Sequence, residues 1–198
     1  MKKLATLFTR SLSEFGHVTT IVVAAMIGAV AVVLGIFTIP VSDSLRIGFS
    51  TIANQLVYYL YGPVVGCAYG GMIDIINYLM KPIGTFFPPL TLVSMLAGVL
   101  YGVIYYKRPL SLLRVLAANL LVAVICNIWL NTVCICVLNG YELYGAKFYA
   151  MLPSRIIKNF IMWPINSTLF FLIAKRMEQM GIFWNIKTLH RKDVKEID

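Results

Sequence analysis

From Val18 to Phe37 the chain runs for twenty residues without a charged side chain. At about 1.5 Å of rise per residue, such a helix matches the roughly 30 Å hydrocarbon core of a bilayer. A backbone in hydrocarbon must satisfy its own hydrogen bonds, so the other apolar runs are expected to cross as helices too. They are Ile47–Leu60, Pro63–Leu79, Pro89–Tyr106, Val115–Leu138 and Phe148–Ala174. Ile47–Leu60 is short for a full span and carries Asn54 and Gln55, so it reads as a tilted, partly covered helix or a broken one. Tyr61-Gly62-Pro63 then makes a tight break, with the proline placed to open the next helix. Only 13 % of the residues are charged, against about 25 % in a soluble domain. The fold expected is an all-α integral membrane protein of six transmembrane helices. One domain, 1–176, is followed by a basic cytoplasmic tail, 177–198.

The net charge of +9 does not point to nucleic acid, because the cations collect in short connections and the tail, with no basic face interleaved with aromatics. Their distribution orients the chain. With both termini cytoplasmic, the inner segments hold twelve cations: Lys2, Lys3, Arg10, Lys107, Arg108, Arg114, Lys175, Arg176, Lys187, Arg191, Lys192 and Lys195. The outer loops hold three, Arg46, Lys81 and Lys147. That bias follows the positive-inside rule and suits a multi-pass protein of the cell membrane among anionic lipids. Residues 1–17 read as a short amphipathic lead, with Lys2, Lys3 and Arg10 against Leu4, Leu7, Phe8 and Leu12.

Catalytic signatures are missing from the sequence. The four cysteines sit in apolar runs without CxxC spacing or a nearby histidine, so no disulfide framework, metal site or cofactor is expected. There is no P-loop, HExxH or nucleophile elbow, so an ATP-driven function would need a motor on another polypeptide.

The unusual residues share an address. Asp74 falls in the third run, one helical turn after the Gly62, Gly66, Gly70 stripe, and a carboxylate there must be satisfied by protein, cavity water or a ligand. Arg155 and Lys158 lie near the start of the last run, on one side of a helix. They read either as an anion site at the mouth of the bundle or as helix-end cations snorkelling to headgroups. In the six-helix topology Asn54, Gln55, Asp74, Trp129, Asn131, Arg155 and Lys158 all belong to the outer half, beside the loop residues Phe86, Phe87, Tyr141 and Tyr144. Arginine suits a carboxylate, Asp74 and the asparagines suit the donor edge of a nitrogen heterocycle, and the aromatics offer stacking faces. An amphiphile with an aromatic head and an acidic tail fits all three. In the first helix Ala24, Ala25, Gly28 and Ala29 form a small-residue strip for close approach of a helix of this chain or of another subunit.

Leu45–Gly102, with YGPVVGCAYGGMIDIINYLMKPIGTFFPP, resembles the substrate-binding S components of energy-coupling factor (ECF) transporters, in particular their folate branch. NTV from Asn131 and LPSRIIKNFIMWPI up to Ile165 support the same likeness, which covers residues 20–176. It implies a non-enzymatic vitamin-binding protein that works with a transmembrane coupling subunit and two cytoplasmic ATPases. It further implies that Ala25 and Ala29 dock on the coupling subunit, that Asp74 takes a pterin, and that Arg155 and Lys158 take a glutamate tail. Phe86-Phe87-Pro88-Pro89 and Ala53-Asn54-Gln55 depart from that branch's pattern, which keeps folate, a related pterin and another vitamin all open as ligands. The readings from other classes are a structural membrane protein and a self-sufficient secondary transporter.

Overall fold

A computed structural model describes residues 2–36, 39–40, 46–47, 49–80, 85–106, 108–142 and 144–181. The expected tail from residue 182 onward, most of the 38–45 loop, the 81–84 connection and Lys107 lie outside the described residues. The helices are α1 (Lys2–Phe15), α2 (Val18–Ile36), α3 (Ser50–Met80), α4 (Pro88–Tyr105), α5 (Leu112–Val122), α6 (Asn131–Leu138) and α7 (Ala146–Gln179). A π-helical stretch, Ala123–Leu130, joins α5 to α6 without a break. Between α2 and α3, β1 (Ile39–Pro40) pairs antiparallel with β2 (Arg46–Ile47). Five helical units of the described chain are long and apolar enough to cross a membrane: α2, α3, α4, the continuous Leu112–Leu138 rod and α7. The chain is an all-α, multi-pass membrane protein.

The unit α3 is in fact two limbs. At Gly62 the backbone takes φ 82° and ψ −163°, outside any helix and in a region open chiefly to glycine. The Tyr58 and Tyr69 rings lie 5.8 Å apart edge to face, and the Tyr69 hydroxyl donates to Asn54 Oδ1 at 2.8 Å. Along a straight helix residues eleven apart would be separated by about 16 Å. The chain therefore doubles back at Gly62, and residues 50–61 lie alongside 63–80. The break expected at Tyr61-Gly62-Pro63 is where the second and third runs part.

Packing follows the small residues. A Cβ on Gly98 of α4 would stand 2.2 Å from the Gly66 carbonyl oxygen, and one on Gly70 would stand 2.6 Å from the Ser94 oxygen. One on Gly102 would meet Pro63 at 2.5 Å. The Gly62, Gly66, Gly70 stripe thus runs antiparallel to Ser94, Gly98, Gly102, in matching steps of four, and the backbones touch. The α2 residues Thr20, Ala24, Gly28 and Ala31 are buried, and Gly28 faces the Tyr69 ring. Stacked rings carry the core across three helices, Tyr58 on Tyr101, Tyr101 on Tyr105 and Tyr105 on Phe170, with centroids 5.6, 5.6 and 5.4 Å apart. Beside them Gln55 donates to Asn119 Oδ1 at 2.8 Å, and the Tyr101 hydroxyl donates to the same oxygen at 2.9 Å.

Helix α7 extends beyond the apolar run at both ends. Its 34 residues make about 50 Å of helix, more than a bilayer core is thick, so its ends reach the polar zones or it runs oblique. Pro153 and Pro164 lie within it, each removing one backbone donor from the ladder.

Candidate functional site

Asp74 stands on the 63–80 limb, facing the first turns of α4. Its two carboxylate oxygens each take one hydroxyl, from Thr91 at 2.8 Å and from Ser94 at 3.1 Å. The same acid lines a cavity of about 580 Å³, within the range of small-ligand pockets. Phe86 and Phe87 form part of its wall, just before the Pro88-Pro89 start of α4, and Tyr78 packs on Phe86 at 5.1 Å. Val32 and Ile36 of α2, with Ile135 and Leu138 of α6, supply further apolar wall. The cavity is therefore a largely apolar pocket with aromatic rings in its wall and an anchored carboxylate among its polar lining. Its other polar lining includes Asn77 and Asn139, of which Asn139 spends one amide donor on the Ile135 carbonyl at 2.8 Å. No lysine or arginine is among the described lining residues.

The remaining sequence-derived candidates fall in two places. Asn54 and Gln55 belong to the bundle interior. Asn54 accepts from Tyr69, and Gln55 is fully buried in the Asn119 network. Trp129, Arg155 and Lys158 belong to the α6–α7 side. Trp129 is half exposed and packs against Tyr144 and Phe148 at 6.0 and 6.3 Å. The Arg155 guanidinium donates to the Asn127 carbonyl at 3.4 Å, a long bond, and Lys158 is half-buried one turn on. Asn131 is half-buried at the start of α6, one turn before the cavity-lining Ile135. Lys147 lies over the Tyr141 ring, 3.9 Å from its centre.

Cross-helix bonds set the heights of these groups. Tyr101 meets Asn119, and α4 and α5 run in opposite directions. Ten residues back from Tyr101 to Thr91 climb about 15 Å, and ten forward from Asn119 to Trp129 climb somewhat less, since most of them are π-helical with a shorter rise. Asp74, bonded to Thr91, thus stands at about the height of Trp129. The Trp163 indole donates to the Leu116 carbonyl at 2.8 Å, and Arg155 meets Asn127, so Arg155 lies close to the same height. The acid, the aromatics and the cations share one end of the bundle. They line it from two sides, however, and only Asp74, Phe86 and Phe87 of the candidates share the cavity wall.

Asn77, Tyr78 and Asn139 complete that wall without having been singled out. Asn77 and Tyr78 stand three and four residues after Asp74, the spacing that shares a helix face, so the signal was present. Asn139 ends a helix, and nothing local marks it.

Ala25 and Ala29 lie elsewhere. Both are exposed, unlike the buried Ala24 and Gly28 beside them, and both line an apolar groove of about 500 Å³ between α2 and the 63–80 limb.

The family described as ECF transporter, substrate-specific component, matches residues 19–174. The folate transporter FolT of Leuconostoc mesenteroides is 30 % identical over 146 residues, which is 73 % of this chain and 78 % of that protein. The folate transporter FolT of Clostridium novyi is 28 % identical over 138 residues, 70 % of this chain and 77 % of that protein. A crystal structure of FolT bound with folic acid superposes with a TM-score of 0.69 at 28 % identity, covering 81 % of this chain and 95 % of the other. The S component of a bacterial ECF transporter shares the fold, with a TM-score of 0.52 at 22 % identity, over 81 % and 96 % of the two chains.

Proposed function

Since the chain belongs to the substrate-specific components of ECF transporters, we propose that it captures folate or a closely related pterin for ATP-driven uptake. Members of this family are substrate carriers and perform no chemistry on the ligand. The observation that carries the ligand assignment is Asp74, held by Thr91 and Ser94 at the wall of a pocket with aromatic rings in its lining. A pterin is flat and presents adjacent N–H donors along one edge. A carboxylate with free lone pairs meets that edge, and the phenylalanines cover the ring. The similarity to folate transporters, one of them solved with folic acid, supports the same reading.

The glutamate tail of folate then runs toward the α6–α7 side, where Arg155 releases its long bond to Asn127 and turns its fork to the carboxylate. A charged hydrogen bond of this kind contributes about 1.5–3 kcal/mol, or roughly ten- to a hundredfold in affinity. Titration calorimetry of the purified protein checks this with folate, 5-formyltetrahydrofolate, bare pterin, riboflavin, thiamine and biotin. Folate is expected to bind tightly and bare pterin weakly. Arg155→Ala should weaken folate while leaving pterin unchanged. Tight binding of a vitamin without a pterin overturns the ligand, and an equal loss for both ligands overturns the role of Arg155.

The exposed Ala25–Ala29 edge is the place proposed for the coupling subunit, which spans the cell membrane and works with two cytoplasmic ATPases. Ala29→Trp fills the groove. It is expected to abolish co-purification with the coupling subunit and leave the calorimetric titration unchanged. Intact co-purification would move the docking surface elsewhere.

A further inference from the structure

Helix α1 lies before the first spanning helix, yet its side chains reach the turn of α3. Ser11 is fully buried. Its hydroxyl donates to the Tyr61 carbonyl at 2.7 Å and accepts from the backbone N–H groups of Val64 and Val65 at 3.0 and 3.4 Å. These are the second and third residues of the limb that Pro63 opens, the N–H groups an N-cap side chain ordinarily serves. The residue in the cap position is Gly62, which has no side chain. Ser11 therefore caps that limb from about fifty residues away. One turn on, Glu14 accepts from the Tyr106 hydroxyl at 3.0 Å, and the Tyr106 ring covers Gly62 so closely that a Cβ there would meet it at 2.8 Å. Contacts to the α3 turn and to the residue just past α4 place α1 across the end of the bundle, at the depth where membrane limbs terminate.

An apolar stripe runs along α1 beside the face that carries Ser11, and its last member, Phe15, also lines the groove between α2 and the 63–80 limb. Phe8, Leu12 and Phe15 recur at four and three residues and are 39 %, 62 % and 41 % exposed. The stripe leads into Val18, Ile21 and Val22, which begin the exposed apolar surface of α2. Lys2, Lys3 and Arg10 add positive charge to the same short segment. We propose that α1 is an interfacial clasp: Ser11 and Glu14 hold the Gly62 turn, while Phe8 and Leu12 seat in the headgroup–acyl boundary of the anionic leaflet. A helix with one apolar face and basic residues binds such a surface through both terms. Burial of that face fixes the height of α1 and so keeps the cap in place over the limb that carries Asp74.

The test places a nitroxide at Leu12, and separately at the exposed Ser13, in a full-length variant whose four cysteines are replaced and which melts like the parent. The protein is held in nanodiscs of phosphatidylglycerol and phosphatidylcholine. The label at Leu12 is expected to be accessible to oxygen and shielded from a water-soluble nickel chelate, with the reverse at Ser13. Ser11→Ala is expected to raise label mobility at Leu12 and lower the melting midpoint. Equal nickel access at both sites overturns the lipid seat. A Leu12 label immobilised and shielded from both agents shows a protein surface there and overturns it as well. If Ser11→Ala changes neither mobility nor melting, the clasp is overturned.

Discussion

Gly98→Leu is expected to prevent recovery of a folded bundle. A Cβ at Gly98 would sit 2.2 Å from the Gly66 carbonyl oxygen, and the obstacle is backbone, which no rotamer change removes. The reciprocal contact, a Cβ on Gly66 against the Gly98 oxygen, is 2.9 Å. The two helices must separate, and the α3–α4 contact is the most extensive among the described elements. Overpacking of side chains costs about 1–3 kcal/mol, and displacing a backbone seam exceeds that. Separation also draws Thr91 and Ser94 away from Asp74, removing both of its hydroxyl donors. Gly71→Ala is the control, because a Cβ there meets only the flexible Met95 side chain, at 3.0 Å. Melting in detergent and size-exclusion profiles check both. A monodisperse Gly98→Leu protein with the parent's midpoint would show that the seam is looser than described.

What the sequence showed of this seam was each half separately. The Gly62, Gly66, Gly70 and Ser94, Gly98, Gly102 stripes are properties of single helices. Their antiparallel mating depends on the reversal at Gly62, and nothing in a four-residue spacing states which stripe meets which. The break itself was legible, because Tyr-Gly-Pro permits few alternatives. The cap from Ser11 was not, since its partners lie about fifty residues on. Asn54 and Gln55 show the same limit from the other direction. A polar pair in an apolar run announces that partners are needed and leaves them unnamed, and in the fold they are Tyr69 and Asn119. Within the site, Asp74 was visible as an unpaired acid at membrane depth, and Phe86 and Phe87 as aromatics in a Pro-rich connection. Their meeting in one cavity depends on the α3–α4 register. The π-helical stretch that carries Asn127 and Trp129 has no sequence mark at all, yet it sets how that side of the bundle faces α7.

Asp74→Asn is expected to abolish tight ligand binding while leaving the fold in place. An ionised carboxylate offers about four acceptor positions. Thr91 and Ser94 use one on each oxygen, so about two remain for a ligand edge at the cavity wall. Asparagine keeps the shape and one acceptor oxygen. Its amide nitrogen only donates, and the neighbouring hydroxyl can rotate to accept from it, so the contact with α4 survives. A pterin edge with two adjacent donors then faces one acceptor and one donor. One charge-assisted bond, about 1.5–3 kcal/mol, is lost and a donor–donor clash replaces it. The affinity for folate should fall by about a hundredfold or more. Two readouts separate this from damage to the bundle. The melting midpoint without ligand should stay near the parent's, whereas the rise in midpoint at a folate concentration only a few times the parent's Kd should nearly vanish, because stabilisation by a ligand tracks its occupancy of the native state. Thr91→Val serves as the comparison: it removes one supporting hydroxyl, keeps the charge, and should weaken binding far less than Asp74→Asn. If Asp74→Asn titrates like the parent, Asp74 is a structural acid satisfied by Thr91 and Ser94 alone, and the ligand's donor edge has to be met by Asn77 or Asn139 instead.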